Sequence, residues 1–329
     1  MRILIVHTSS IPVLLYGGIE RVIWSLGKEL TRLGHEVTYL VKPDSRCDFA
    51  RVIGIDKRKR IVDQIPDDVD VVHFHFTPPH LCELKKPYVI TVHGNCHHMM
   101  PFDRNSIFVS RNHASRFGSE CFVYNGLDWS EYTRPDLSLE RTYYHFLGDA
   151  SWKVKNVRGA IEIVKRTKCQ TLRVIGGYRL NFRMGFRLTL TRRVKFLGFL
   201  GGEAKDKVLN GSKGLIFPVI WHEPFGLSII ESLYFGCPVF GTPYGSLSEL
   251  VNEDVGFLSR SKSELARAIE ECRFDPLRCH EYAATVFNSR RMALDYIEKY
   301  KAVMDGQYLN PQNPRMRSLE DATLLPLTE

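Results

Sequence analysis

In the stretch WHEPFGLSIIE, residues 221–231, two carboxylates stand eight residues apart on either side of a turn and a predicted helix start. We predict that Glu223 lies before the helix and that Glu231 lies about a turn and a half into it. Pro224 suits the first helical position, where no backbone N–H is needed. Gly226 lets a ligand approach the free N–H groups there. Such a helix start is a favourable site for a phosphate.

The spacing of the two glutamates limits the chemistry that they can share. Over eight helical steps they would be separated by about 12 Å along the axis. The paired acids of a glycosidase are closer, at roughly 5 to 9.5 Å. The spacing therefore favours two ends of one elongated ligand with its phosphates between them. The simpler interpretation is that Glu-Pro opens an ordinary helix.

Glu-x7-Glu with Pro-Phe-Gly inside it resembles the signature of retaining GT-B glycosyltransferases, in particular family four, the glycosyl transferases group 1 type. In that family the first glutamate contacts the hexose of a nucleotide-sugar donor, and the second binds the ribose hydroxyls. By resemblance these roles fall to Glu223 and Glu231. The helix start at Phe225, Gly226 and Leu227 would then hold the donor diphosphate.

Length and charge narrow the class of protein. A chain of 329 residues exceeds one typical core, so two domains are expected. The 44% hydrophobic and 25% charged residues are ordinary for a soluble globular protein. The net charge of +8 favours an anionic partner such as a nucleotide, a phospholipid surface or a lipid-linked acceptor, although a basic surface that only aids solubility gives the same charge.

The cysteines and the apolar runs bear on location. Eight cysteines are scattered without a Cys-x2-Cys pair, which favours reduced thiols in a cytoplasmic protein over a disulfide framework or a zinc ribbon. The first apolar run, residues 3–6, is shorter than the core of a signal peptide. No run approaches the roughly 18 apolar residues that span a bilayer. Membrane association is therefore expected to be peripheral, at the inner face of the membrane.

Short β-rich runs alternate with helical patterns along both halves of the chain. The predicted strands are residues 3–6, 37–41, 69–74, 88–92, 107–109 and 122–124, followed by 143–147, 172–175, 194–196, 214–217, 239–240 and 256–258. This alternation is typical of an α/β protein with parallel sheets. With the resemblance, it predicts the GT-B fold, in which two Rossmann-like parallel-sheet domains face a cleft.

The predicted domains follow from that assignment. Residues 1–138 form the N-terminal Rossmann-like domain on the acceptor side, and residues 139–288 form the Rossmann-like nucleotide-sugar donor domain. Residues 289–305 form a helix that crosses back to the N-terminal domain. Residues 306–329 are polar and contain prolines, which predicts a flexible tail.

The first predicted strand leads through Tyr16, Gly17 and Gly18 into a helical pattern that Gly34 ends. This is the layout of a phosphate-binding turn, but it is not the G-x-G-x-x-G fingerprint of dinucleotide-binding proteins. In the resembled family, a Gly-Gly here lets backbone amides approach the donor diphosphate, which gives Gly17 and Gly18 that role. A plain tight turn is the alternative.

His93-Gly94 follows the predicted strand 88–92 at its carboxyl end, where open α/β sheets bind ligands. The family has a similar element whose histidine points toward the transferred sugar, which makes His93 a candidate catalytic residue. Nearby side chains could also be interpreted as a metal site; they are His73, His75, Cys96, His97 and His98. Their spacing is not a standard zinc pattern, and the resembled family neutralises the diphosphate with protein groups. No metal or other cofactor is therefore expected.

The stretch LGDASWKVKN, residues 147–156, stands where the family carries an arginine and then a lysine. Lys155 matches the lysine that clamps the diphosphate, and it is the third candidate catalytic residue beside His93 and Glu223. Asp149 stands at the arginine position, one residue further away than usual. An acid there would repel a diphosphate unless it is turned away or paired. Lys153 could supply the missing cation, or the donor site is altered.

The stretch GTPYGSLSE, residues 241–249, corresponds to the family's glycine-rich turn. Gly245 is expected to add donor contacts. The same residues also fit a helix entrance, in which Ser246 caps the helix and Glu249 completes a capping box.

Two basic stretches remain. Residues 179–195 interleave arginines with aromatic and leucine side chains, which could bind single-stranded nucleic acid or a lipid surface. We favour a helix with a solvated basic face. The run Lys-Arg-Lys-Arg at 57–60 is interpreted as a solvated loop in preference to an acceptor or membrane contact. No nucleic-acid partner is predicted, and an anionic membrane remains a candidate for peripheral contact.

These observations together predict a retaining, metal-independent hexosyltransferase. It would move a hexose from a UDP- or GDP-linked sugar to a hydroxyl of a glycan, glycolipid or other acceptor, in polysaccharide or glycoconjugate biosynthesis. The alternatives are a GT-B epimerase or phosphorylase, a non-catalytic nucleotide-sugar binding protein, and a nucleic-acid-binding protein.

Overall fold

Two parallel β-sheets are built from the alternating apolar runs of the chain. The computed structural model describes residues 1–13, 17–95, 100–318 and 323–329, and they group into two units. Unit 1 comprises Met1–Trp129 and Phe287–Leu319, and unit 2 comprises Ser130–Val286 and Glu320–Glu329. The sequence placed the two boundaries at 138/139 and 288/289.

The sheet of unit 1 has six parallel strands in the order β3-β2-β1-β4-β5-β6. The strands are β1 (Arg2–Val6), β2 (Glu36–Val41), β3 (Arg51–Gly54), β4 (Val71–Phe74), β5 (Tyr88–Val92) and β6 (Ser106–Phe108). Helices α1 (Gly18–Arg32) and α2 (Arg111–Arg116) lie between them in the chain. The order reverses between β1 and β4, and open sheets of this kind bind ligands outside the carboxyl ends of the strands at such a point.

Unit 2 repeats the topology, with the order β11-β8-β7-β12-β13-β14. Its strands are β7 (Tyr143–Leu147), β8 (Leu172–Ile175), β9 (Leu180–Asn181), β10 (Arg187–Leu188), β11 (Val194–Phe196), β12 (Ser212–Phe217), β13 (Val239–Gly241) and β14 (Gly256–Leu258). Its helices are α3 (Val157–Arg166), α4 (Gly202–Asn210), α5 (Leu227–Tyr234), α6 (Leu247–Leu250), α7 (Lys262–Glu271) and α8 (Pro276–Val286). Here the order reverses between β7 and β12. The predicted pair of Rossmann-like parallel sheets is confirmed.

The last helix, α9 (Ser289–Met304), belongs to unit 1 and packs against α1 and β5. Its buried face includes Met292, Tyr296 and Tyr300, whose helical spacing places them on one side. Tyr300 Oη lies 2.8 Å from His73 Nδ1, and Tyr296 Oη lies 2.8 Å from Thr91 Oγ1. His73 Nε2 in turn lies 2.7 Å from Thr91 Oγ1. These contacts satisfy polar groups inside the core of unit 1.

The prediction of a helix over residues 179–195 is wrong. The segment contains the antiparallel pair β9 and β10, with Gly185 between them at φ 112°. Its apolar residues recur at every second position, which is the period of a strand. Residues 122–124 also differ from the predicted strand, because only a bridge between Phe108 and Phe122 forms there.

The described part of the predicted flexible tail is packed, so that expectation is corrected. Asn310 donates through Nδ2 to Ser106 O at 2.8 Å and accepts from Ser119 Oγ at 2.5 Å. Met316 is buried at 4% exposure. Further on, Thr328 N donates to Arg260 O at 2.8 Å. Polar tail residues therefore supply hydrogen bonds that both units need, which composition alone did not indicate.

Within the described residues, no helix has both the length and the apolar character needed to cross a bilayer. The seven cysteines in the same part of the chain form no disulfide.

Candidate active site

Lys155 and Glu223 meet outside the carboxyl ends of β7 and β12. Lys155 ends a single turn of 3-10 helix, and Glu223 lies in the loop that follows β12. Lys155 Nζ lies 2.6 Å from Glu223 Oε2 and 2.8 Å from Oε1, and the side chains are 12% and 6% exposed. Trp221 Nε1 donates to the same carboxylate at 2.8 Å. Two of the three predicted catalytic residues therefore form one ion pair at the point where the strand order reverses.

Backbone contacts fix the two loops that carry this pair. Ile220 N donates to Val154 O at 2.9 Å, which joins the Lys155 turn to the Glu223 loop. Asn156 has φ 56° and caps α3 by accepting from Gly159 N at 3.0 Å. Its Nδ2 donates to Pro218 O at 2.9 Å. The ion pair therefore does not depend on long side chains alone to hold its geometry.

Gly226 and Gly245 pack directly on Glu223, and both have positive φ, 85° and 64°. A Cβ on Gly226 would lie 3.2 Å from Glu223 Cγ. A Cβ on Gly245 would lie 2.3 Å from Glu223 N and O, where Ser246 N donates to Glu223 O at 2.9 Å. Glycine is required at both positions because of the backbone conformation and the close approach.

Helix α5 begins at Leu227, so the prediction that Pro224 is its first residue is wrong. Gly226 is the residue before the helix, in the left-handed conformation, and no side chain caps α5. No acidic residue occupies its first turn. The N–H groups of Leu227 and Ser228 therefore point out of a helix start without intrahelical acceptors. Phe225 supports this turn as a buried side chain.

Ser246 does not act as the predicted cap of α6. Its Oγ donates to Phe225 O at 2.6 Å, and no side-chain cap is formed. The hydroxyl joins the Gly245 turn to the residue before Gly226, so it supports the site and not the helix entrance.

Glu231 lies about one turn into α5 and pairs with a different cation from Glu223. It is 1% exposed, forms an ion pair with Lys205 of α4, and accepts from Tyr132 Oη at 3.0 Å. Its expected contact with ribose stays a prediction. Sequence reasoning did not consider Lys205, because its only signal was a cation in a short helix with few buried positions.

Asp149 is hydrogen-bonded within its own loop and paired with an arginine between β9 and β10. It is 6% exposed, and its Oδ1 accepts from Ser151 N at 2.9 Å and Ser151 Oγ at 2.5 Å. Arg183 Nη1 lies 3.7 Å from Oδ2. The departure from the family pattern is therefore accommodated by local partners. Lys153 is exposed on the turn that carries Lys155, and its contact with a donor stays a prediction.

A group of histidines occupies the equivalent edge of the sheet in unit 1. His7, His75 and His93 follow β1, β4 and β5. His75 Nδ1 lies 2.8 Å from His93 Nε2, and the two rings are stacked with centroids 5.1 Å apart. His7 Nε2 lies 3.6 Å from Glu20 Oε1, in the first turn of α1 after Gly17. Sequence reasoning selected His93 but did not identify His7 or the contact between His75 and His93.

His75 and His93 are neutral, as is the neighbouring His73. Burial lowers the pKa of His93 to about 3 and the pKa of His73 and His75 well below the ordinary value. The neighbouring His7 lowers the pKa of Glu20, which stays a carboxylate. His93 can therefore act as a hydrogen-bonding group towards a ligand, but not as a cation.

The alternative metal site can be followed only in part, because Cys96, His97 and His98 lie outside the described residues, as does Tyr16. Both ring nitrogens of His73 contact hydroxyl groups of the core. Across residues 1–13, 17–95, 100–318 and 323–329, no three histidine, cysteine or acidic residues are grouped so that they could hold a metal ion. The absence of a metal stays a prediction.

Two glycosyltransferase family models match the chain, and one of them includes the residues of this site. Residues 134–286 match the family model for glycosyl transferases group 1, and residues 16–145 match the model for glycosyltransferase family 4. The chain belongs to the group 1 glycosyltransferases. The first match includes Lys155, Glu223, Gly226 and Gly245, so this site lies in the part of the chain that defines the group 1 family.

Solved structures of glycosyltransferases share the fold. AviGT4, a glycosyltransferase involved in avilamycin A biosynthesis, is 21% identical with a TM-score of 0.75, covering 93% of this chain and 98% of AviGT4. HepE of Anabaena, in complex with UDP-glucose, is 18% identical with a TM-score of 0.66, covering 92% of this chain and 100% of HepE. Sucrose-phosphate synthase of Thermosynechococcus elongatus is 16% identical with a TM-score of 0.68, covering 93% and 100%. The predicted GT-B fold is confirmed.

A curated relative matches over a shorter segment. An uncharacterized glycosyltransferase of Methanocaldococcus jannaschii is 30% identical over 70 residues, which span 21% of this chain and 18% of that protein.

Proposed function

We propose that this group 1 glycosyltransferase is a retaining, metal-independent hexosyltransferase. It moves a hexose from a UDP- or GDP-linked sugar to a hydroxyl of a glycan, glycolipid or other acceptor. The observation that carries the proposal is the contact of Lys155 with Glu223 beside the Gly226 and Gly245 turns. The complex of HepE with UDP-glucose supports a nucleotide-sugar donor.

In this proposal, donor binding exchanges the partners of the ion pair. Lys155 turns from Glu223 to the diphosphate, and the N–H groups of Leu227 and Ser228 bind the same anion. Glu223 then accepts hydrogen bonds from hydroxyls of the hexose. Glu223 gains these hydrogen bonds as it loses its cation, and Lys155 gains the diphosphate. Neither charged side chain is therefore left without a polar partner.

The chemistry requires stabilisation of charge on the leaving diphosphate as the anomeric C–O bond breaks. Lys155 and the start of α5 supply it in unit 2, and the amides at Gly17 and Gly18 are expected to add to it. The acceptor oxygen attacks the same face of the sugar, and its proton passes to the departing phosphate oxygen. His93 keeps its expected role of orienting the transferred sugar, as a neutral imidazole.

The proposed partners are the donor and a glycan or lipid-linked acceptor. The proposed location is the cytoplasm, with peripheral contact at the inner face of an anionic membrane.

The first experiment is a thermal-shift series with UDP, GDP, ADP and their glucose, mannose and N-acetylglucosamine conjugates. A ligand at about a hundred times its dissociation constant stabilises the fold by about 2.7 kcal/mol. We expect one nucleotide series to raise Tm of the native chain, and Lys155→Met to reduce that shift. The matched control is Lys301→Met, which removes a 59% exposed lysine from the ion pair with Glu298 on α9.

The double variant Lys155→Met/Glu223→Gln distinguishes a loss of donor binding from a loss of stability. It removes both charges of the pair, so no buried carboxylate is left without its cation. It should be more stable than Lys155→Met and still bind the donor poorly. A shift of equal size in all variants, or no shift with any nucleotide, would overturn the proposal.

Turnover distinguishes transfer from the alternatives. With the donor that binds, release of nucleoside diphosphate should require an acceptor with a free hydroxyl. NMR of the product should show the anomeric configuration of the donor. Release that requires inorganic phosphate instead would identify a phosphorylase, and an inverted product would contradict retention.

A further inference from the structure

The hairpin of β9 and β10 exposes one face made of large apolar side chains. Its members are Tyr178, Leu180, Phe182, Met184, Phe186, Leu188 and Leu190, which are 47–80% exposed. We call these seven side chains the apolar face of the hairpin. An exposed contiguous apolar patch on a folded protein marks an interaction site.

The register of the hairpin explains how the apolar face forms. Leu188 pairs with Leu180, so Phe186 stands opposite Phe182, with ring centroids 5.7 Å apart. Successive side chains of a strand alternate between the two faces, so these even-numbered residues share one face. Met184 lies at the turn, and the apolar face is therefore continuous from both strands across the tip of the hairpin.

The opposite face holds the hairpin on unit 2. Arg179 donates to Thr189 O at 2.6 Å and to Val194 O at 2.7 Å, and Arg187 donates to Tyr178 O at 3.0 Å. Arg187 is buried at 6% exposure, with its guanidinium over the Phe196 ring. A two-stranded hairpin alone is marginally stable, so these arginines explain why the apolar face is held outward.

The charge around the apolar face is mainly positive. Residues 178–195 contain five arginines and one lysine and no acidic residue. Arg183 is 71% exposed beside the tip, and Arg192 is exposed at the other end. A groove of about 450 Å³ separates the hairpin from α3, where Arg158 and Lys165 add two cations and Glu162, which pairs with Lys262, adds one carboxylate.

We propose that the hairpin docks this protein on an anionic lipid bilayer. The apolar face enters the boundary between headgroups and acyl chains, by about 5–10 Å as amphipathic elements do. The surrounding arginines bind lipid phosphates, and the electrostatic attraction is worth about 1 kcal/mol per basic residue near the surface.

The composition of the apolar face favours lipid over nucleic acid. Four of its seven side chains are aliphatic, namely Leu180, Met184, Leu188 and Leu190. Single-stranded nucleic acid is bound by aromatic side chains on which bases stack, and flexible aliphatic side chains suit acyl chains. Docking by the hairpin rests on the peripheral membrane contact of the proposed function, and it assigns that contact to an element of unit 2 that the proposed catalytic chemistry does not use.

The test is flotation of the full chain with vesicles of phosphatidylcholine alone and of phosphatidylcholine mixed equally with phosphatidylglycerol. The main variant is Phe182→Ser/Met184→Ser/Phe186→Ser, which removes the tip. The matched control is Leu277→Ser/Leu294→Ser/Tyr308→Ser, because these residues are also large, apolar and 46–60% exposed but lie elsewhere. A charge variant is Arg183→Gln/Arg192→Gln.

We expect the native chain and the control to float with the anionic vesicles, and the tip variant to lose at least tenfold in partitioning. Each arginine replacement should cost about fivefold, the equivalent of about 1 kcal/mol, and added salt should weaken binding. Circular dichroism and the nucleotide-induced thermal shift should be unchanged in the tip variant, which separates loss of docking from loss of folding or donor binding.

Three outcomes would overturn the inference. They are absence of vesicle binding by the native chain, equal binding by the native chain and the tip variant, and equal binding to neutral and anionic vesicles. If the native chain bound a single-stranded oligonucleotide and did not bind vesicles, that result would also overturn the inference.

Discussion

At the scale of single residues, the two glutamates of one motif have different surroundings. Glu223 pairs with Lys155 in a loop, whereas Glu231 pairs with Lys205 inside unit 2. The sequence predicted the positions of Glu223, Lys155, Gly226 and Gly245 near one another only through resemblance to a family. Lys205 could not be predicted, because a buried cation is identified by the acid it meets in the folded chain.

His75 determines which nitrogen of His93 carries the proton. His75 is 4% exposed, and its Nε2 has no hydrogen-bond partner among the described residues. A buried N–H without an acceptor is rarer than a buried acceptor without a donor. His75 should therefore carry its proton on Nδ1 and donate it to His93 Nε2. That leaves the proton of His93 on Nδ1, where it can be donated to a ligand.

We predict that His75→Phe shifts the proton of His93 from Nδ1 toward Nε2. Two-bond ¹H–¹⁵N correlation spectra of the imidazole rings distinguish the two tautomers. The control is His80→Phe, which changes a 53% exposed side chain and should leave the His93 signals in place. An Nε2–H tautomer of His93 in the native chain would contradict the assignment.

At the scale of elements, buried parallel strands were the easiest to predict. Residues 143–147 and 172–175 form strands with the predicted bounds, because apolar side chains dominate strands that are covered on both faces. The hairpin at 178–190 was missed because its alternation of basic and apolar residues was interpreted as helical. The start of α5 was misplaced because Pro-Phe-Gly fits a helix start, while the left-handed Gly226 delays it to Leu227.

The Gly245 turn provides a prediction about the packing of two loops. Gly245→Ala places a Cβ 2.3 Å from the backbone of Glu223, whereas Gly34→Ala, at a similar positive φ of 84°, meets nothing within 4 Å. Both variants share the cost of the left-handed conformation, and only the first adds overpacking, worth about 1–3 kcal/mol. Urea unfolding should show that difference in the free energy of unfolding. Equal losses would mean that the loop moves away from Glu223 without cost.

At the scale of the whole molecule, buried neutral histidines make stability depend on pH. The folded pKa of His93, about 3, and those of His73 and His75 are lowered by burial, whereas unfolded histidines titrate at about 6.5. Below about pH 6.5 the unfolded chain binds more protons than the folded chain. Stability is therefore full above that pH and falls as the pH is lowered, by about 1.4 kcal/mol per pH unit for each such histidine.

Urea unfolding between about pH 7 and about pH 5 tests this expectation, because ordinary carboxylates titrate at lower pH. His75→Phe should reduce the slope of the free energy of unfolding against pH by about the contribution of one histidine, and His80→Phe should leave that slope unchanged. A free energy of unfolding that stays constant over this range would contradict the prediction.

The hydrogen bonds from α9 to His73 and Thr91 also have a consequence for synthesis on the ribosome. All six strands of the first sheet have been translated by residue 108, but Tyr296 and Tyr300 belong to a helix that begins at Ser289. At about 5–20 residues per second, translation of the intervening chain takes on the order of ten to forty seconds. During that interval His73 and Thr91 of the nascent first sheet lack their hydrogen-bond partners on α9. The N-terminal part of the protein can therefore complete its fold only after most of the second unit has been made.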